Sequence, residues 1–477
     1  MRKYISFFCF LSVCVSCTQH PVSQWVITTA DNMWVTQSAD SIGLVKSDTI
    51  SAEIALQEPQ QTIDGFGTCF NELGWTSLSL LSEADREAVL KELFAPGIGA
   101  NLTICRMPVG ANDFSRGWYS YDETDGDFEM QNFSIANDRE TLIPFIKSAL
   151  KYNPRLRIWA SPWSPPLWMK DNKHYACQPT SSFFDQRYKN DIQPEQVRRE
   201  GVNMFIQDDA YFKAYALYFA KFIEAYRAEN ISIAMIMPQN EFNSCQPFPS
   251  CTWTAAGLNR FVGEFLGPKM EELGVELMFG TIERNNQAMV DTLLKDPKSS
   301  RYIKGAGFQW AGKGVVKYVH ETYPSLKIYQ TEQECGNGAN DWGFARYAWT
   351  LMKHYLSNGA NVYDYWNTSL KQGGMSRWGW TQNSLVTVDS VARTFKYTYE
   401  YYLLKHFSHY VQPGAQRLAT SGTFTNLLAF RNPDKTIVVV LHNSKKERIT
   451  PVLKIGEQTL LCPLPPDSFN TLVLKQE

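Results

Sequence analysis

Residues 231–241 read Ile-Ser-Ile-Ala-Met-Ile-Met-Pro-Gln-Asn-Glu, an apolar run that stops at a proline and ends on a carboxylate. A short apolar stretch closed by a breaker predicts a strand buried on both faces, as in a parallel sheet. Leu326 to Tyr329 repeats the pattern and breaks into Gln330-Thr331-Glu332. Working outward, strand-like runs centre on Gly65, Ile104, Ile158, Met235, Met278, Gly307, Tyr329 and Tyr363, with helical stretches between them. Eight such β/α units predict an α/β fold of the closed (β/α)8 or TIM-barrel type, because right-handed crossovers bring the last strand round to the first. The runs at 231 and 326 then end the fourth and seventh strands.

The intervening helices carry their own signals. Ser82 followed by Asp85 predicts an N-cap with an acidic first turn. Val89, Leu90, Leu93 and Phe94 then share one face, and Pro96-Gly97 stops the helix. Phe212, Tyr215, Ala216, Phe219, Ile223 and Tyr226 recur at helical spacing and read as core packing rather than as a binding stripe.

Both chain ends are strand-rich. Gln24–Thr28, Met33–Gln37 and the alternating Ile50, Ala52, Ile54 and Leu56 lie at one end; Leu427–Arg431, the turn 432–435, Thr436–His442 and strands near Thr459 and Thr471 lie at the other. Neither set makes a sheet alone, so the two are expected to build one accompanying β-sandwich. The expected division is a signal at 1–17, sandwich strands at 22–58, the catalytic barrel at 59–408, and the rest of the sandwich at 409–477.

A chain of 477 residues accommodates a barrel of about 250 residues with insertions and a companion domain. A net charge of -2 argues against nucleic acid as a partner, since no basic excess exists to neutralise phosphates. Aromatic residues make up 14%, with 14 Trp, which suits either a large core or a cleft with flat apolar faces for sugar rings. Arg2, Lys3 and the apolar stretch Ile5–Val15 have the layout of an export signal, and Ser16-Cys17 resembles a lipoprotein cleavage site, with Cys14 departing from that pattern. The chain is therefore expected to be exported and lipid-anchored to an outer membrane, on its surface or periplasmic face, with a cleaved signal lacking a lipid as the alternative. Beyond Cys17 seven cysteines remain, an odd number; Cys245 and Cys251 are close enough for a local disulfide, free buried thiols being the alternative. Beyond Cys17 no CxxC pair occurs, and the chain has only seven His, so neither a metal nor any other cofactor is expected.

In a barrel of this kind the reactive groups come from the carboxyl ends of strands. Glu241 and Glu332 occupy such ends, and a pair of carboxyls facing one cleft is what glycosidic bond cleavage requires. One must carry a proton for the leaving oxygen while the other, ionised, attacks the anomeric carbon; retaining pairs sit roughly 5–5.5 Å apart. Strand-end position alone leaves a solvated rim residue or an ion pair as the rival explanation for either Glu. Glu334 competes with Glu332, since alternation puts both on one strand face.

Asn240-Glu241 after one run and Glu332 after the other resemble family 30 glycoside hydrolases, the group of glucosylceramidases and β-1,6-glucanases. The likeness extends through Asp64-Gly65-Phe66-Gly67, Arg106-Met107-Pro108 with Asp113-Phe114-Ser115, Ala160-Ser161-Pro162-Trp163-Ser164-Pro165, Trp366-Asn367, and His406-Phe407-Ser408 leading to Pro413-Gly414. The resemblance implies Glu241 as acid/base, Glu332 as nucleophile, and Asn240 as the group bonding the sugar 2-hydroxyl. It further implies Arg106 as support for the nucleophile and Asp113, Trp163 and Trp366 as holders of the non-reducing sugar. An ion pair is the structural alternative for Arg106, and core packing for each Trp.

The sequence also departs from glucosylceramidases. Gln309-Trp310 stands where they carry His-Trp, so a titrating imidazole is lost there. Gly312-Lys313-Gly314 and the loop from Gln372 to Trp380 differ too, placing Trp378 and Trp380 where a longer glycan would lie. The expected activity is retaining hydrolysis of a β-linked glucan or glucoside, foremost endo-cleavage of β-1,6-glucan. An exo-acting β-glucosidase, glucosylceramidase or β-xylosidase is the alternative among enzymes. A glycan-capture lipoprotein without turnover is the alternative outside them, and a metal-dependent hydrolase is disfavoured by the few His.

Overall fold

The computed structural model describes residues 20–475. The export signal and acylated cysteine read at residues 1–17 lie outside them. No described helix is long and apolar enough to cross a membrane.

Eight parallel strands close into a barrel: Gly65–Cys69, Ile104–Pro108, Arg157–Ser161, Ile233–Ile236, Glu276–Ile282, Ile303–Gln309, Lys327–Glu332 and Val362–Asn367. Each contains the residue on which its run was centred. Closure is made by the eighth strand against the first, with Val362 level with Gly65 and Tyr363 level with Phe66. The floor of the barrel is filled by Ile104, Trp159, Met235, Met237, Met278, Tyr329 and Val362, all buried. These bulky groups meet strand glycines: a Cβ on Gly307 would stand 2.5 Å from the Met237 sulfur, and one on Gly67 only 1.5 Å from the Ile104 carbonyl oxygen. Small residues on some strands are thus the complement of large ones on others, the layering expected of a filled barrel.

The helix Glu83–Phe94 begins at Ser82, whose hydroxyl accepts from the Asp85 N–H at 3.1 Å, and buries Val89, Leu90, Leu93 and Phe94. Asp209–Ala228 buries the whole aromatic stripe assigned to packing.

The chain ends share one ten-stranded sheet, in which Val22–Thr28 lies antiparallel to Ser468–Leu474 and Ala52–Thr62 is flanked by Gln416–Gly422 and Val452–Ile455. Sheet and barrel are joined through His406, on the last barrel helix Tyr399–Ser408. Its two ring nitrogens meet Thr471 Oγ1 at 2.8 Å and Thr28 Oγ1 at 2.9 Å, one hydroxyl from each chain end. Burial, aided by the neighbouring Lys405 charge, holds this imidazole down to about 3, so it acts as a neutral hydrogen-bonding wedge. A three-stranded sheet, Ser369–Lys371 with Val386–Asp389 and Thr394–Tyr397, follows the eighth barrel strand and was not anticipated. Its segments are three or four residues long, too short for a periodic signal.

Candidate active site

Arg106 is the hub of the carboxyl end of the barrel. It follows Ile104 by two residues on the second strand, so it points inward one layer above the apolar floor, and it is fully buried. Its guanidinium is spread over five partners. Nη1 donates to Glu332 Oε2 at 3.1 Å and to the Thr331 carbonyl at 3.2 Å, Nη2 to Asn240 Oδ1 at 2.7 Å and Ser161 Oγ at 2.8 Å, and Nη1 approaches Gln309 Oε1 at 3.4 Å. The faces of Trp159, Trp163 and Trp366 lie 4.9, 4.3 and 5.3 Å from its central carbon. A planar cation between indoles and two polar strand ends loses little by leaving water.

Gln309 sits between the two carboxyls. A register shift after Phe308 brings it level with Glu332 on the neighbouring strand. Its Oε1 accepts from Thr331 Oγ1 at 2.9 Å, which fixes the amide so that Nε2 faces the acids. Nε2 donates to Glu241 Oε1 at 3.0 Å and to Glu332 Oε2 at 3.1 Å. Those two oxygens therefore cannot lie farther apart than the sum of these distances, about 6 Å. Both carboxyls thus border one sugar-sized gap, as a pair acting on a single anomeric centre must.

The environments of the two acids differ. Burial, then the charge of Glu283 and then that of Glu332, push Glu241 well above the usual carboxyl range. Burial also raises Glu332, but Arg106, the Trp310 indole N–H at 3.0 Å and Gln309 all favour its ionised form. One group is thus arranged to keep a proton and the other to hold a charge. The backbone is strained at both edges of the site: Glu241 has φ 46° and Trp310 φ 47°, left-handed values that non-glycine residues adopt at a cost of about 1–3 kcal/mol. The Glu241 turn is held by its own N–H donating to Thr281 Oγ1 at 2.9 Å, and that hydroxyl donates on to Asn240 Oδ1 at 3.1 Å. Asn240's oxygen is thereby committed to protein donors, which leaves its NH2 for a ligand.

Asp113 lies on the turn after the second strand, beside Trp366 and under the influence of Glu332. Burial pushes its carboxyl well above the ordinary range. Asp113 Oδ1 and Trp366 Nε1 are both buried side by side, and neither makes a well-aligned hydrogen bond within the protein. A hydroxyl-bearing ligand would satisfy this orphaned acceptor and donor. Trp163 and Trp366 stack on each other, with centroids 5.3 Å apart, and both are buried, so they form the floor under a ligand and not an open platform. The aromatic faces near the opening are Trp310 and Trp380, both partly exposed and 5.7 Å apart; Trp380 in turn lies between Phe184 and Phe248. Trp378 is buried beneath, against Trp118.

All nine residues singled out from the sequence, Arg106, Asp113, Trp163, Asn240, Glu241, Gln309, Trp310, Glu332 and Trp366, meet in this one place. Glu334 does not: it is held by Lys313 Nζ at 2.7 Å and by Tyr347 Oη at 2.7 Å. Two further groups were missed. Gln246 donates to Glu241 Oε2 at 3.1 Å, from a loop with no periodic signal. Glu283 directly follows the fifth strand, and the strand-end rule that found Glu241 would have found it as well. Among the described residues no cluster of His, Cys, Asp or Glu is arranged to hold a metal ion.

A TIM barrel whose rim brings two differently tuned carboxyls within reach of one centre defines a glycoside hydrolase. Residues 63–183 and 193–411 match the glycosyl hydrolase family 30 TIM-barrel domain, and residues 414–472 match the family 30 beta sandwich domain. The chain belongs to glycosyl hydrolase family 30 and is a retaining O-glycosyl hydrolase. It is 29% identical over 422 residues to putative glucosylceramidase 1 of Caenorhabditis elegans, covering 83% of this chain and 76% of that one. It is 26% identical over 408 residues to the endo-1,6-beta-D-glucanase of Neurospora crassa, covering 80% and 79%. The solved endo-beta1,6-glucanase BT3312 shares the fold, with a TM-score of 0.80 at 24% identity, covering 95% of this chain and 99% of that one.

Proposed function

We propose that the chain is an endo-acting β-1,6-glucanase in which Glu332 is the nucleophile and Glu241 the acid/base. In the first step Glu332 attacks the anomeric carbon while Glu241 gives its proton to the departing glycosidic oxygen, leaving a glycosyl-enzyme ester. The ionised Glu241 then takes a proton from the water that hydrolyses the ester. Arg106 and the Trp310 N–H hold Glu332 charged and oriented before attack. In this reading Asn240's NH2 bonds the 2-hydroxyl, and Asp113 with Trp366 bonds hydroxyls on the far side of the ring.

The observation that carries the reaction is the single Gln309 amide shared by both acids. The choice of a polymer is supported by the aromatic row Trp310, Trp380 and Phe184, which runs from the nucleophile toward the opening, and by the Neurospora relative. The test is digestion of β-1,6-glucan, glucosylceramide, aryl β-glucosides and aryl β-xylosides, with the first product followed by proton NMR. Internal cleavage of β-1,6-glucan with a β-anomeric first product is expected, and Glu332→Gln should lower turnover by several orders of magnitude. Release of single sugars from chain ends would move the assignment to an exo-enzyme, while an α-anomeric first product would remove the mechanism.

The location is proposed from the N-terminal residues alone: an exported chain acylated at Cys17. Metabolic labelling with a palmitate analogue should mark the protein, and Cys17→Ser should abolish the label.

A further inference from the structure

When Glu332 becomes an ester, the negative charge that it carried passes to Glu241, which has given up its proton. The surroundings of the two acids are not equivalent for this exchange. Arg106 donates to Glu332 Oε2 at 3.1 Å and directs its other N–H groups to Ser161, Asn240, Gln309 and the Thr331 carbonyl. Among the described residues, both side-chain donors to the Glu241 carboxyl are neutral amides: Gln309 Nε2 meets Oε1 at 3.0 Å and Gln246 Nε2 meets Oε2 at 3.1 Å. Burial and the nearby Glu283 charge oppose the ionised form that these amides must hold.

The two amides differ in freedom. Gln309 is fully buried and its Oε1 accepts from Thr331 Oγ1 at 2.9 Å, so this side chain presents N–H to Glu241 whether or not the acid carries its proton. Gln246 is half-buried at the rim, and its second partner is Ser244 Oγ at 2.6 Å. A hydroxyl donates as readily as it accepts. The Gln246 amide turned end for end therefore keeps both partners, its oxygen then accepting from Ser244 and from a proton on Glu241 Oε2. The main chain beneath is held in place: the Gln246 carbonyl accepts from the N–H groups of Cys177 and Gln178 at 2.9 and 3.2 Å. No disulfide ties this loop, for Cys245 and Cys251, considered as a pair from the sequence, are both free thiols.

We infer that Gln246 is a positioning residue for the acid/base, accepting from Glu241 Oε2 while the proton is in place and donating to the same oxygen once it has left. The inference rests on Glu241 as acid/base and not on the choice of glycan. Its weight falls on the second step. There the oxygen of a water molecule bonds to the anomeric carbon while one of its protons passes to Glu241 Oε2. The bond to Glu332 breaks, and its electron pair returns to the Glu332 carboxylate. Only ionised Glu241 takes that proton, and without the Gln246 N–H that form keeps one amide donor instead of two. Hydrogen bonds to charged groups are the strong ones, so the loss slows this step on the order of 10- to 100-fold.

The test uses the purified full-length chain and dinitrophenyl β-glucoside, whose leaving group departs without a proton, so that hydrolysis of the glycosyl-enzyme limits turnover. Gln246→Leu should lower kcat about 10- to 100-fold and KM with it, leaving kcat/KM within about twofold. A burst of dinitrophenolate should precede the slow phase, and intact mass should show the chain heavier by one glycosyl residue. Azide, a nucleophile that needs no base, should restore turnover. Ser244→Ala should shift kcat the same way by a smaller factor, which decides the matter even if Gln246→Leu fails to fold. Equal losses in kcat and kcat/KM, or no loss in either variant, would overturn the proposal. Glu241→Ala is the control on the assignment beneath it. Full turnover in that variant brings down the acid/base reading and this inference with it, whereas a loss there with Gln246→Leu unaffected sinks the role of Gln246 alone.

Discussion

Arg106 and Glu332 form an ion pair of 3.1 Å whose guanidinium has no exposed surface and whose carboxylate has almost none. A pair this buried stabilises through the bonds around it more than through its own attraction, because both ions have given up hydration. Removing one member is therefore far more damaging than its surface counterpart would be.

Arg106→Met should cost about 3–5 kcal/mol of stability by leaving Glu332 as an uncompensated buried charge. Because Arg106 lowers the Glu332 pKa, its loss raises it, so the carboxylate ionises later on the pH scale. The acidic limb of the kcat/KM profile should move to higher pH, and the maximum should fall on the order of a hundredfold or more. Urea unfolding together with a pH–rate profile measures both effects; an acidic limb that stays in place would break the link between this arginine and the nucleophile.

Glu283→Gln should act on the opposite limb. The Glu283 charge is the largest influence after burial in holding Glu241 protonated. Neutralising it lowers the Glu241 pKa, so the proton donor is lost at lower pH and the basic limb of kcat/KM moves down. The acidic limb should move far less, which distinguishes this effect from general damage to the fold.

Trp380→Ala should separate long substrates from short ones. Trp380 lies one aromatic ring beyond Trp310, away from the two acids. Loss of a stacking face worth about 0.5–1.5 kcal/mol should reduce kcat/KM roughly 2- to 10-fold on oligosaccharides that reach it. An aryl β-glucoside should be cleaved as before, so equal losses on both substrates would place the sugar chain elsewhere.

Gly67→Ala should destabilise the barrel without touching a reacting group. The added methyl would lie 1.5 Å from the Ile104 carbonyl oxygen, which belongs to the adjoining strand and is not free to move away. A loss of about 1–3 kcal/mol or more is expected in chemical denaturation. Substrate affinity of the folded fraction should be unchanged.

The strand ends carrying Glu241 and Glu332 were legible because each is a local event: an apolar run long enough to cross a barrel, broken by polar residues that cannot continue it. The eight runs and the strand-rich termini were legible for the same reason, since burial on one or two faces stamps its period on neighbouring residues. Alternation along one strand could not separate Glu332 from Glu334, and spacing could not tell that Trp163 and Trp366 lie beneath the ligand rather than beside it. Those outcomes depend on which residues of distant strands share a layer.

The amino-acid order by itself determined the barrel and the two-ended sheet, because hydrophobic period and strand breakage act over a few residues, while the choice of Glu241 and Glu332 as the acids came from the resemblance of the surrounding motifs to family 30. Only the tertiary structure decided that Gln309 bridges the acids and that Glu283 and Gln246 attend Glu241. Hydrogen bonds and charge effects fall off within a few ångströms, and chain closure alone sets which distant side chains come that near.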